Sequence, residues 1–256
     1  MRVGRRLAIK LLNASKFVLA PAPSDQTQAA HAVSSRGAIT APVDRAMLRN
    51  LAALLEEATR DLESYDYARV LQRTEEFFWR FCDDYLELVK GRRYGEQGPV
   101  AATSANGALV AALSVLLRLF APFLPFVTEE VWSWWQKGSI HRSAWPSRRE
   151  LEELLAGDSA ELRDADRRVL EWATEVLFEV RKQRSEDKQP MRVPISKVLI
   201  TVPDASVIQL MPQVETDLKS ALRVKAFETV TGDERRFEVT GYEPVEPSPR
   251  PAASGD

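Results

Sequence analysis

Apolar positions spaced three and four apart dominate the first two thirds of the chain. Over residues 3–20, Leu7, Leu11, Ala14 and Val18 share one helical face, and Pro21 and Pro23 end the pattern. Asp44, just after Pro42, reads as the N-cap of a long helix reaching about Ser64, with Leu48, Leu51, Leu55 and Leu62 on its buried side. Tyr65 and Asp66 break it. A third long helix is expected from Tyr67 to about Gly91, its stripe of Phe77, Phe78, Phe81, Tyr85 and Leu88 assigned to the core. Gly91 to Thr103 reads as a loop and Ala108 to Phe120 as a core helix. The stretch APFLPF kinks the chain at two prolines before a further piece from Pro125 to about Gln136, with Phe123, Phe126, Thr128 and Trp132 expected to pack the core around the kink. Helical spacing returns over 148–155 and 158–184. Long helices joined by short connections specify an antiparallel bundle.

The pattern then changes. RVPISKVLITVP, from Arg192 to Pro203, is β-branched and partly alternating, SVIQLMPQVETDLKSAL is helical in spacing, and RVKAFETVTG and RRFEVTGYE read as strands. The expected fold class is therefore mainly α: a bundle over 1–157, a long helix linking it onward over 158–191, a small α/β subdomain over 192–242, and a disordered Pro/Ser/Ala-rich tail over 243–256.

Composition narrows the chemistry. The 256 residues are 45% hydrophobic and 28% charged with a net charge of -2, enough apolar material for a sizeable core and too little positive charge to coat nucleic acid generally. The richest apolar stretch, Ala108 to Val127, is cut by Arg118 and two prolines, which favours a core helix over a membrane span. One cysteine, Cys82, excludes an intramolecular disulfide and a cysteine-based zinc site, and a cytoplasmic setting is expected. Phosphate-binding glycine loops, nucleophile elbows and HExxH are missing, and the two histidines, His31 and His141, have no partnered motif. No catalytic residue, metal site or cofactor is expected in this chain.

What remains is binding. Five of the first seventeen residues are Arg or Lys and none is Asp or Glu. At about 100° per residue, Arg6, Lys10, Asn13 and Phe17 fall within about 60° of one another, on a flank of the helix beside its core stripe. Two cations, an amide and an aromatic ring on one face are what single-stranded RNA requires: charge for phosphate, a donor and acceptor for a base edge, and a flat surface for an unstacked base. The same spacing also fits a solvated boundary face with Phe17 tucked inward.

Ordered motifs favour the first alternative. GRRLAIKLLNASKF resembles the Lys-x-x-Asn-Ala-x-x-Phe helix that opens the anticodon-binding domain of valyl-tRNA synthetases, a class Ia family. FFWRFCDDYLELVKGR, LRLFAPFLPFVTEEVW and SIHRSAWP resemble that family's next three segments in the same order, and VRKQRSEDKQP its entry into a small α/β subdomain. The sequence has Leu12 where the family often has Trp, and Lys16 where Arg is usual, which loses a bidentate reach.

The resemblance implies that Lys10, Asn13 and Phe17 receive an anticodon loop, with Arg5 beside them by motif and Arg6 by geometry. Arg181 and Arg184 either hold the small subdomain or rest on tRNA phosphates. The implied partner is tRNA, the valine isoacceptors, with no membrane. The family's catalytic domain, which binds ATP, and its editing domain would precede residue 1, with the catalytic domain packing nearby, so the chain alone is not expected to activate valine. The competing expectation is a helical protein-interaction module, or a remnant that binds no specific RNA.

Overall fold

In the computed structural model of the chain, residues 2–20 and 36–243 are described. The expected loop from Ala20 to Gly37 lies almost wholly outside them, as do His31 and nearly all of the expected tail. Two units divide the chain, Met1–Thr174 and Glu175–Asp256.

The first unit is a bundle. Its elements are α1 (Arg2–Leu19), α2 (Pro42–Glu63), α3 (Tyr67–Arg80), a π-helical turn Phe81–Tyr85 continuing through Leu86–Leu88, α4 (Lys90–Arg93), α5 (Pro99–Phe120), α6 (Pro125–Ser133) and α7 (Arg148–Glu152). The helix α8 (Ala160–Glu186) begins in this unit, and the division falls within it. α5 touches α1, α2, α3, α4 and α6, so it must be apolar nearly all round. Leu109, Ala112, Leu113, Leu116, Leu117 and Phe120 are all buried. α5 is long and apolar enough to cross a membrane by length and composition, but two thirds of its most apolar window is buried in the bundle. Its end nearest Pro122 is tied down by Arg118, which donates to Ser114 and Glu150.

Two buried ionic clusters join elements far apart in sequence. Asp44 is fully buried; its Oδ1 accepts from Tyr85 Oη at 2.8 Å and Arg92 Nη2 at 2.9 Å, and its Oδ2 from Arg92 Nη1 and Ser104 Oγ, both at 2.7 Å. Ser104 Oγ in turn accepts from the backbone amides of Thr40 and Ala41. Asp44 is thus no N-cap: α2 starts at Pro42 behind Ala41, proline being suited to a first turn whose N–H has no partner, and Asp44 points inward to meet Arg92. The second cluster fastens the first half of α8 to α2, with Arg45 bidentate on Asp166 at 2.6 and 2.8 Å and Arg49 joining at 2.5 Å. Each carboxylate is matched by donors on both oxygens, which buried charge requires.

Three expectations need correcting. The helix expected over 67–91 is interrupted, because the π-helical turn inserts one residue's worth of backbone and re-aims Tyr85 toward Asp44. The loop expected over 91–103 is shorter, since α4 occupies Lys90–Arg93 and α5 begins at Pro99 behind Gly98, whose φ of 84° only glycine adopts freely. Phe126 is 90% exposed rather than in the core: it occupies the second position of α6, which leaves the APFLPF turn before its helical face swings back to the bundle. Thr128 and Trp132 are buried there, while Phe77 and Phe123 are half-buried.

The second unit holds a three-stranded sheet of β1 (Ile195–Val202), β2 (Val224–Thr231) and β3 (Arg236–Val239), ordered β2-β1-β3. β1 pairs parallel with β2, Val198 opposite Phe227, and antiparallel with β3, Ile200 opposite Phe237. A parallel neighbour demands a crossover, supplied by α9 (Ala205–Ile208) and α10 (Glu215–Leu222), and α10 packs on β2. Ile195, Val198, Ile200 and Val202 of β1 are buried, as the central strand should be.

Candidate nucleic-acid interface

The stripe Leu7, Leu11, Ala14 and Val18 is buried, so α1 is clamped in one rotation about its axis. That rotation sets Arg6, Lys10 and Phe17 against the chain between Trp79 and Tyr94, with the exposed Asn13 on the same side of the helix. α1 runs parallel to this stretch, Arg6 level with Trp79, Lys10 with Asp83, and Phe17 with Lys90 and Tyr94.

At the upstream end, the Arg6 guanidinium lies 5.0 Å from the centroid of the Trp79 ring and Lys10 Nζ 5.7 Å from it. Lys10 also pairs with Asp83 at 2.9 Å. Both partners are substantially solvated, so the pair contributes little, about 0–1 kcal/mol, and a phosphate can displace it. In the middle, Asn13 is exposed, and its amide makes no hydrogen bond among the described residues; the same holds for the guanidinium of Arg5, a step of about 100° round from Arg6. Asn13 thus presents both a donor and an acceptor to solvent, on a rigid helix.

At the downstream end, Phe17 is half-buried and held on several sides. The Arg93 guanidinium stands 5.2 Å from its ring centroid, Lys90 Nζ 6.0 Å, and the Tyr94 ring 6.1 Å at an interplanar angle of 89°. Arg93 does more than stack. Its Nε donates to the Phe17 carbonyl at 3.0 Å, its Nη2 to the Ala20 carbonyl at 2.6 Å, and its Nη1 to Asn106. It therefore satisfies carbonyls at the C-terminus of α1 that the helix leaves without intrahelical partners, and places a cation where the helix dipole is negative. Burial pushes the Arg93 guanidinium below its ordinary pKa.

The structure therefore brings four of the five expected residues onto one face, with Arg5 at its edge. It adds Trp79, Asp83, Lys90, Arg93 and Tyr94, which the sequence placed on the third long helix or in the loop after it with no binding role. The signal for them was the run KGRRYG, cations next to an aromatic, but only the fold sets it against Phe17. Cys82, beside Asp83, is no nucleophile: burial pushes its thiol up to about 12.

Arg181 is half-buried on α8. Arg184 is only 1% exposed and donates Nη1 to the Met191 carbonyl and Nη2 to the Leu222 carbonyl, each at 2.7 Å. Of its two expected roles, RNA contact is closed to it; it fastens α8 to the strand connections of the small unit, through carbonyls rather than ion pairs. Among the described residues, no three His, Cys, Asp or Glu side chains are grouped to hold a metal ion.

Comparison with known proteins agrees with this architecture. The family described as the anticodon-binding domain of tRNA ligase matches residues 44–200. A valine–tRNA ligase of Thermobifida fusca is 48% identical over 241 residues, covering 93% of this chain and 25% of the relative. One of Salinispora tropica is 45% identical over 240 residues (91% and 27%), and one of Cutibacterium acnes 44% over 237 (92% and 25%). The chain spans about a quarter of the length of the curated relatives it matches. With the family match covering more than half its length, from α2 through α8 into β1, the chain belongs to the anticodon-binding domains of tRNA ligases.

Proposed function

We propose that the chain is the tRNA-reading part of a valine–tRNA ligase and that the α1 face receives the anticodon loop of valine tRNA. The observation that carries this reading is Asn13: an exposed amide with no hydrogen-bond partner among the described residues, on a clamped helix, flanked on one side by Lys10 and Arg6 and on the other by the Phe17 ring. Phe17 stacks a splayed base, Asn13 reads a base edge, and Lys10, Arg6 and Arg5 neutralise phosphates. The bundle does no chemistry; its contribution to the whole cytoplasmic enzyme is to hold tRNA so that the acceptor end reaches a catalytic domain, where ATP binds. Asp83 beside Lys10 adds discrimination, since a ligand must displace the carboxylate before it gains the cation.

The test is RNA affinity of the isolated chain at two salt concentrations. Engagement of about three phosphates predicts that log K falls with log salt with a slope of about -2. Asn13→Ala should weaken binding of the valine anticodon stem-loop about three- to tenfold, the scale of one base-edge hydrogen bond. Phe17→Ala should weaken it more, roughly five- to a hundredfold, because stacking on an aromatic contributes about 1–3 kcal/mol per base. Equal binding by wild type and both variants would sink the site.

A further inference from the structure

We propose that Tyr94 is a second base platform, so that the interface takes two consecutive splayed nucleotides rather than one; this rests on the reading of α1 as an RNA-binding face. Tyr94 is 46% exposed although its ring touches Phe17, edge to face at 6.1 Å and 89°. The two rings meet at right angles, and nearly half of Tyr94 remains in solvent, leaving ring surface free for stacking.

Its placement is not that of a loose loop residue. Tyr94 follows directly on α4, and its amide donates back to the carbonyls of Lys90 and Gly91. The two residues before it are both buried and anchored, Arg92 in a bidentate pair with Asp44 and Arg93 on the Phe17 and Ala20 carbonyls. The turn is thus pinned to α2 on one side and to α1 on the other, which fixes the Tyr94 ring relative to Phe17 before any ligand arrives. Preorganisation of this kind reduces the ordering cost of binding.

The angle between the rings decides what fits. Planes at 89° cannot hold two bases stacked on each other, as in a helical stem; they suit neighbouring bases turned away from one another, as in an opened loop. Lys90 completes the site. Its Nζ lies 6.0 Å from the Phe17 ring, it pairs with Glu87 at a long 3.4 Å, and it is exposed, well placed to neutralise the phosphate joining the two nucleotides.

The experiment uses the whole chain and the valine anticodon stem-loop carrying 2-aminopurine at one loop position after another. Tyr94→Ala should weaken binding about five- to tenfold, from lost stacking, and abolish quenching at one loop position, while Phe17→Ala abolishes it at the adjacent position. Tyr94→Phe should restore both affinity and quenching, since the ring and not the hydroxyl does the stacking. Lys90→Met should lower the salt slope by about 0.7, one phosphate on a single strand. If Tyr94→Ala binds like wild type while Phe17→Ala is weakened, the second platform is overturned and the α1 reading stands. If both variants affect the same loop position, there is a single platform and the proposal fails. If neither weakens binding, both fail together.

Discussion

Asp44→Ala should lower the stability of the bundle by about 3–5 kcal/mol, the largest single loss expected from any side chain in the site's supports. Asp44 receives four hydrogen bonds from three partners, and its removal takes the bidentate carboxylate from the buried Arg92 guanidinium and the Asp44 acceptor from Tyr85 Oη. The cost comes chiefly from weakening the compensation of a buried charge, not from the lost attraction. Asp44→Leu combined with Arg92→Met should therefore be markedly less destabilising than Asp44→Ala alone, because an apolar pair of similar bulk needs no desolvated ion to be compensated. Urea unfolding, followed by signals from the bundle, checks both, since the two units need not unfold together. A double variant as unstable as the sum of its single variants would contradict this account of the cluster.

Arg93→Met is the second large effect, and it couples stability to the interface. It leaves the carbonyls of Phe17 and Ala20 and the Asn106 amide without their donor, a loss of about 2–3 kcal/mol for hydrogen bonds to a charged group. Arg93→Lys should recover little of it: one ammonium cannot reach the three acceptors that a planar fork spans. The loss should appear locally, as faster amide exchange over Asn13–Leu19, with Leu7 and Leu11 still protected by the core. RNA affinity should fall as well, although Arg93 is buried, because Phe17 loses its fixed position. Unchanged exchange in the last turn of α1 would show that something else holds it.

Much of this architecture was legible in the sequence because it follows from spacing. α1, α2, α8 and the three strands lie where periodicity placed them, α5 ends where expected but begins nine residues earlier, and the composition change after residue 190 marked the sheet. What escaped was set by partners distant in the chain. Asp44 looks like a cap from its neighbours and becomes a buried acceptor only once Arg92, 48 positions on, is folded against it. Phe126 sits among core-forming aromatics in sequence, yet its position in the first turn of α6 exposes it. Within the site, the face of α1 could be drawn from 100° steps alone, but Trp79, Lys90, Arg93 and Tyr94 face it through a π-helical turn that no local pattern announced. Arg184 shows the converse limit, a cation on a helix end whose burial only the fold reveals.

The claim that the α1 face reads an anticodon is tested most directly from the RNA side. Competition between the valine anticodon stem-loop and the same hairpin with its three anticodon bases replaced, measured on the unmodified chain at one fixed salt concentration, separates base reading from attraction to phosphate. The account predicts that the valine loop is preferred at least tenfold and that Asn13→Ala together with Phe17→Ala erases the preference while leaving a salt-sensitive residue of binding. Equal affinity of the wild-type chain for both hairpins would contradict it.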